Sequence, residues 1–438
     1  MRKIQSGLLT TMISHHLSYL LKSSRVPSLL ALSSTLLLGG EQPPQIEEPP
    51  VSEPPEFAFT DLFTPTADLR LRYEFGDQDP LDESHAATLR ARIGAKLNEW
   101  NGFTGLIELE STIAADNDSY RAASVDGPAD HTIIADPESV EMNRLWLGYT
   151  FADTTIKLGR QRIIYDNARF IGNVGWRQNE QTFDAVNVTT KLFPDTIVSY
   201  SYLNRVNRIF GSQHKAAAGQ NDFDSNSHLL NAGYTGIPNT KVTAYAYLLD
   251  LENKAGDAQS NNTFGLSLSG TYPLSDSFKL KFLAEYAHQT DAADSPLDYQ
   301  ADYYHVFLGG IVDKFDFGVG FESLGTDDGM AFRTPLATLH AFNGFADKFL
   351  GTPPGGLQDV YVSAGVKLPK GFALKAAYHH FFANDDGFGA DDYGDEIDLV
   401  LIKKINDNAT FIAKASYYDA DELATDTTRF SAELNFKF

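Results

Sequence analysis

From Ala67 to Phe438, apolar and polar residues alternate with a period of two, and the 3.6-residue period of a helix is sustained nowhere. Alternation of this length restricts the chain to β-structure with two chemically different faces. The final segment shows it most cleanly. Phe430, Ala432, Leu434, Phe436 and Phe438 share one face, and Arg429, Ser431, Glu433, Asn435 and Lys437 share the other.

Eighteen such segments are read, the first over 67–75 and the last over 428–438, with others at 155–163 and 228–235. Tight turns at 100–102, 194–195, 236–239, 313–314, 369–371 and 406–408 follow every second strand, and long loops fill the remaining places. Such sorting gives eight short and nine long connections, the arrangement of an antiparallel barrel with both ends on one side. Solenoids and propellers need a repeat of fixed length, and none is present. The expectation is an all-β fold, a transmembrane antiparallel β-barrel of about eighteen strands with short periplasmic turns and long extracellular loops. A C-terminal Phe closing the last strand resembles the assembly signal read by the barrel-assembly machinery of bacterial outer membranes.

Composition agrees. The hydrophobic share of 42% is too low for a bundle of membrane helices, and no apolar run of helix-spanning length follows residue 40. There is no Cys, which removes disulfides, thiolate metal sites and cysteine nucleophiles. The net charge of -23 argues against nucleic acid as a partner. Acidic residues bunch in the loops at 76–83, 116–141, 291–302, 385–396 and 419–426, while Arg and Lys lie mainly within the strands.

The N-terminal part is expected outside the barrel. Residues 26–40 follow Lys22 and Arg25 with a short apolar core and small residues, so 1–40 reads as a signal segment, its first 21 residues longer than a usual leader. Residues 41–66 begin Pro- and Glu-rich and read as an extended periplasmic linker, leaving 67–438 for the barrel.

Lipid must receive the apolar face. With Leu69, Leu71 and Tyr73 outward, Arg70 and Arg72 point into the lumen. The same parity turns Arg90, Arg92 and Arg144 inward, because an arginine on the lipid face at mid-membrane costs about 2–4 kcal/mol. The five form either a track that attracts anions or, paired with Glu108 and Glu110, a filling for the barrel. Arg160 and Arg162 share the parity of Ile156 and Leu158, so Gly159 is expected to mark a bulge that swaps the faces.

Two long connections carry more character than barrel loops usually do. One runs from Gly159-Arg160-Gln161 through Tyr165-Asp166-Asn167-Ala168-Arg169-Phe170 to Trp176-Arg177-Gln178-Asn179-Glu180-Gln181-Thr182-Phe183-Asp184. The other holds Phe332-Arg333-Thr334-Pro335, Leu339-His340 and Phe342-Asn343-Gly344-Phe345-Ala346-Asp347-Lys348-Phe349-Leu350, ending at Thr352-Pro353-Pro354-Gly355-Gly356-Leu357. Together they resemble the alginate export family of outer-membrane porins over residues 67–438. The resemblance implies an eighteen-strand pore that passes an anionic polyuronate along an arginine-lined lumen. By the same resemblance Arg160, Arg169, Arg177 and Asp184 sit at a constriction, and Arg333, His340, Asn343, Asp347 and Lys348 belong to a second loop that folds inward. One departure weakens alginate specificity: Gln181 stands where an Arg is expected. A blander reading makes Trp176, Phe342, Phe345 and Phe349 a hydrophobic plug that braces the wall.

The expected function is passive diffusion of an anionic saccharide through the outer membrane, with a general small-solute porin as the alternative. No cofactor or metal is implied. An enzyme would need a nucleophile beside a base, and His379 and His380, the nearest candidates with Asp385 and Asp386, point to opposite faces of a strand. His379 and His380 are instead assigned with Tyr378 and Phe381 to the interfacial girdle. Adhesion through the acidic loops is the remaining rival, and Asp385, Asp386, Asp391 and Asp392 are weak candidates for Ca²⁺. Membrane lipid and lipopolysaccharide surround such a barrel, and a closed barrel needs no oligomer.

Overall fold

A computed structural model describes residues 59–123, 126–212, 221–253 and 256–438. The expected signal segment 1–40 and most of the 41–66 linker lie outside these residues. Eighteen long strands follow one another: β1 (Phe63–Gln78), β2 (Ser84–Trp100), β3 (Phe103–Ala114), β4 (Ser139–Phe151), β5 (Thr154–Gln161), β6 (Thr182–Thr190), β7 (Thr196–Asn207), β8 (Asp222–Tyr234) and β9 (Thr240–Leu249) make the first half. The second half is β10 (Asn261–Pro273), β11 (Phe278–Asp291), β12 (Gln300–Val312), β13 (Phe315–Leu324), β14 (Leu357–Leu368), β15 (Phe372–Phe382), β16 (Asp392–Lys404), β17 (Ala409–Ala420) and β18 (Thr427–Lys437). Each pairs antiparallel with the next, and β1 pairs with β18 from Asp68↔Lys437 to Gln78↔Thr427, which closes the barrel. Closure leaves no edge, so the backbone groups of the wall are paired as a membrane demands.

The alternating faces fall where the sequence puts them. Leu71 is 57% exposed on the outer wall while its neighbour Arg72 is 1% exposed inside, and Ile93 and Leu145 are likewise exposed beside the buried Arg92 and the half-buried Arg144. The barrel opens at Phe63, so 63–66, expected in the linker, already form strand. Pro65 is tolerated there because β18 reaches only as far as Asp68, and its missing N–H faces no partner strand on that side. On the loop side β8 begins at Asp222, well before the expected residue 228, since Asp222, Asp224 and Asn226 are polar outward residues that give no apolar signal.

Two bulges and one glycine bear on the site. Between β3 and β4 the register steps from Glu108↔Arg144 to Leu109↔Met142, so Asn143 is the extra residue and both Asn143 and Arg144 reach Glu108. Between β6 and β7 it steps from Ala185↔Leu203 to Asp184↔Arg205. At Gly159 φ is +116°, yet the ladders on both sides stay in register, so the expected swap of faces does not occur there. A side chain at 159 would come within 2.3 Å of the Leu145 carbonyl oxygen, which explains the glycine without any swap.

Candidate functional site

The site is the lumen, and two inward loops narrow it. Residues 162–181, between β5 and β6, cross it from wall to wall. Tyr165 Oη meets Ser201 Oγ of β7 at 2.9 Å, and Asp166 accepts from Asn231 of β8 at 2.7 Å and from Lys241 of β9 at 2.6 Å. Arg169, buried, donates to Glu322 of β13 at 2.7 Å. The loop then returns to β1, where Arg70 donates to the carbonyl oxygens of Gly175, Trp176 and Arg177 at 3.0–3.1 Å. Arg177 bridges Glu74 of β1 at 3.2 Å and Asp347 at 2.9 Å. Glu180 accepts from Arg162 at 2.6 Å and Asn143 at 2.9 Å, with Arg92 at 3.5 Å, and these partners hold its carboxyl well below the usual range against its burial.

The second loop, 325–356 between β13 and β14, is tied to the first. Gly172 N donates to Leu336 O at 2.8 Å, Thr338 N to Ala168 O at 3.0 Å, and the Gln181 amide to Gly172 O at 2.9 Å and Leu336 O at 3.1 Å. Gln181 therefore staples the two loops, a role that its uncharged amide fills without a counter-ion. At the far wall Ala346 N donates to Glu396 at 2.7 Å, Phe345 N to Asp398 at 3.2 Å, and Arg429 Nε to Ala346 O at 2.9 Å. The His340 ring lies on Trp176, centroids 3.9 Å apart and 3° from parallel, while the Arg72 guanidinium sits 3.5 Å from the Trp176 ring centre. Burial pushes His340 down to about 3, so it is neutral, and Nδ1–H donates to Asp347 at 2.7 Å.

Each expected lumen arginine meets a carboxylate. Arg70 lies 3.7 Å from Glu433, Arg72 2.7 Å from Glu74 and Arg144 2.7 Å from Glu108, while Arg90 pairs with Asp68 and Arg92 with Glu110. Strands therefore carry acids as well as bases, and the view that carboxylates belong to the loops is corrected: a charge on the inner face of a narrow lumen needs an opposite charge beside it. Arg169, Arg177, His340, Asn343 and Asp347 join one continuous network, with Asn343 donating to Glu322 at 2.7 Å. Lys348 stands at its margin and donates to Thr427 at 2.8 Å. Arg333 is engaged through its backbone, N–H to Gln289 at 2.7 Å, and makes no ion pair among the described residues.

Arg160 and Asp184 are elsewhere. Their neighbours Gln161 and Phe183 are 1% and 0% exposed inside the barrel, so Arg160 and Asp184 lie on the outer face, paired at 2.7 Å. With Arg205 and Asp222 they form a charged cluster where β5–β8 meet the long loops, a position past the apolar belt where an outward charge is affordable. The chain turns inward only after Gln161, and Arg162 is the lumenal one. His379 and Phe381 are likewise inside, with His379 on Asp359 at 3.0 Å, while Tyr378 and His380 share Asp395 on the outer wall. Only the latter two belong to the girdle.

The alternation of the strands also puts Glu74, Lys414 and Arg429 on the inner wall. Asp136 and Glu180 had no such signal, because they sit on loops; Asp136 accepts from Gln178 N at 2.8 Å and lies 3.8 Å from Arg177. Among the described residues the group with metal-ligand spacing is the exposed Asp82 and Asp130 with the half-buried His131, on two loops, rather than the Asp385–Asp392 stretch. Trp176 and Phe345 flank His340 within the polar network, while Phe349 packs on Phe381 at 4.5 Å, so the expected plug is part aromatic and part ionic.

Beneath the loops, at the end of the short turns and both barrel termini, a cavity of about 400 Å³ is lined by β1–β4, the end of β18 and the 162–181 loop. Its charged side chains are Arg70, Arg92, Arg144, Arg162 and Lys437 against Asp68 and Glu108, while Glu433, Glu110 and Glu180, which pair with Arg70, Arg92 and Arg162, are not part of the lining.

The sequence model of the Alginate export family matches residues 64–197. No curated protein matches the sequence. Solved structures match its fold: Acinetobacter baumannii OccAB4 at 13% identity, covering 86% of this chain and 98% of that one with a TM-score of 0.69. Pseudomonas aeruginosa OccD3 (OpdP) covers 86% and 91% at 13% identity and TM-score 0.64, and Pseudomonas aeruginosa OpdK, solved with vanillate, covers 85% and 98% at 12% and 0.66. The chain has the fold of an outer-membrane porin, and this fold, its apolar belt and the family match place it in the bacterial outer membrane.

Proposed function

We propose that the chain is a passive channel for an anionic solute, an acidic saccharide of the polyuronate kind, which enters from the periplasm through the basic cavity along β1–β4. The excess of cations in that lining is the observation that carries the reading. Fixed positive charge in a low-dielectric cavity raises the local concentration of anions, and guanidinium forks match carboxylates. Arg144 and Arg162 each hold a carboxylate, Glu108 and Glu180, through Nε and one terminal nitrogen, which fixes their guanidinium groups at the cavity wall.

Arg144→Gln with Arg162→Gln is expected to lower the anion-to-cation permeability ratio by about threefold or more, read as a reversal potential in a salt gradient. Arg160→Gln, on the outer wall, should leave it unchanged. Equal shifts from both variants would overturn the assignment of the pathway. A second reading is favoured by the hydrogen bonds that tie the loops across the lumen: a channel for small acidic molecules, as vanillate is in the OpdK structure, rather than for a polymer. Blockade that is as strong with monomeric as with oligomeric uronate would select it.

A further inference from the structure

We propose that the wall formed by β9, β10 and β11 carries a second binding site, for an uncharged hydroxyl-rich ring such as a neutral sugar. The strand register lays it out. Ser267, Ser269 and Thr271 are successive inward residues of β10. Ser267 pairs with Thr243 on one side and Glu285 on the other, Ser269 with Lys241 and Leu283, and Thr271 with Lys281. Columns of polar groups therefore stand about 4.8 Å apart across the strands and about 7 Å apart along them. The three β10 hydroxyls make no side-chain hydrogen bond within the protein among the described residues, and they face a cavity of about 710 Å³. That volume falls in the range of roughly 300–1,000 Å³ found for small-ligand sites.

Both lysines around those hydroxyls are matched by carboxylates. Lys241 is held by Asp166 at 2.6 Å, Lys281 by Asp316 at 2.9 Å, and Glu285 accepts from Tyr245 Oη at 2.8 Å. Such a surface offers donors and acceptors with no cation left unmatched. In the Ser269 row the next residue past Leu283 is Phe307 of β12, whose ring stacks on Tyr361 with centroids 6.2 Å apart and 17° between planes. A hydroxyl grid beside an apolar ledge matches a pyranose, which has hydroxyls at its edge and C–H groups on its face. Asp166 and Asn167 of the 162–181 loop form the roof. A carboxylate ligand is disfavoured here, because both lysines are matched and Glu285 adds a further carboxylate to the wall, so this site ranks ligands differently from the basic cavity and does not depend on the anion-channel reading.

Saturation-transfer NMR on the refolded full chain in detergent, with mannotriose and oligomannuronate as separate probes, tests the site. Mannotriose is expected to receive transfer, reduced about fivefold or more by Ser269→Val with Phe307→Ala, the scale of one lost hydrogen bond or more. Arg160→Gln should leave it unchanged. Ser269→Ala alone, which removes only the hydroxyl, serves if the double variant fails the heat-shift gel test for a folded barrel. No transfer to mannotriose from a folded barrel, or equal transfer in wild type and variant, overturns the proposal. Transfer to mannotriose without transfer to oligomannuronate would leave this site standing and remove the acidic-saccharide reading.

Discussion

Which carboxylate each basic side chain meets decides what the lumen does, and His340 shows how sensitive that arrangement is to protons. Its ring is kept neutral by burial, with a folded value of about 3, whereas an undocked loop would expose it at its ordinary value near 6.5. Asp347 is held below its own ordinary value by His340 and the guanidinium of Arg177. Both shifts have the same sign. The undocked state binds more protons, so docking stability is full above about pH 6.5 and falls as pH drops toward 3, by up to about 1.4 kcal/mol per pH unit for each titrating group. Current noise from loop fluctuation is expected to rise between pH 6 and 4 and to be blunted in His340→Gln. A pH-independent trace in the wild type would refute this. None of it was legible in the sequence, where His340 was one motif residue among several; its value depends on a stacking partner more than a hundred and fifty positions away in the chain, Trp176.

Strands and loops differ in how much of them the sequence discloses. Period-two alternation located each strand because lipid enforces it residue by residue, and it failed where the enforcing lipid ends: at Asp222 in β8, and at Arg160, read as lumenal although it follows the outward parity of Leu158. The inward loops obey no period. Their path is set by buried ion pairs, of which Arg169–Glu322 at 2.7 Å joins the 162–181 loop to β13. Arg169→Met removes one partner and leaves a buried carboxylate unpaired, at a cost of about 3–5 kcal/mol. Faster hydrogen exchange through 162–181 with unchanged exchange in the strands is the expected outcome. Unchanged exchange in the loop would mean that the pair does not hold it.

For the whole molecule, the alternating connection lengths gave the strand number, the sidedness and the closure together, since a barrel with its ends on one side must alternate turns and loops. Cargo is not encoded at that scale. It depends on which charged groups the wall turns toward a solute, and cationic side chains predominate on the lining of one cavity beneath the loops, formed by residues of β1–β4, the end of β18 and the loop between β5 and β6. Single-channel recording of the refolded full chain in a planar bilayer, under a salt gradient with oligomannuronate added on the periplasmic side, tests this most directly. Discrete anion-selective steps interrupted by the oligouronate are predicted. A folded barrel that passes no current, or one that is cation-selective and indifferent to the oligouronate, would contradict the account.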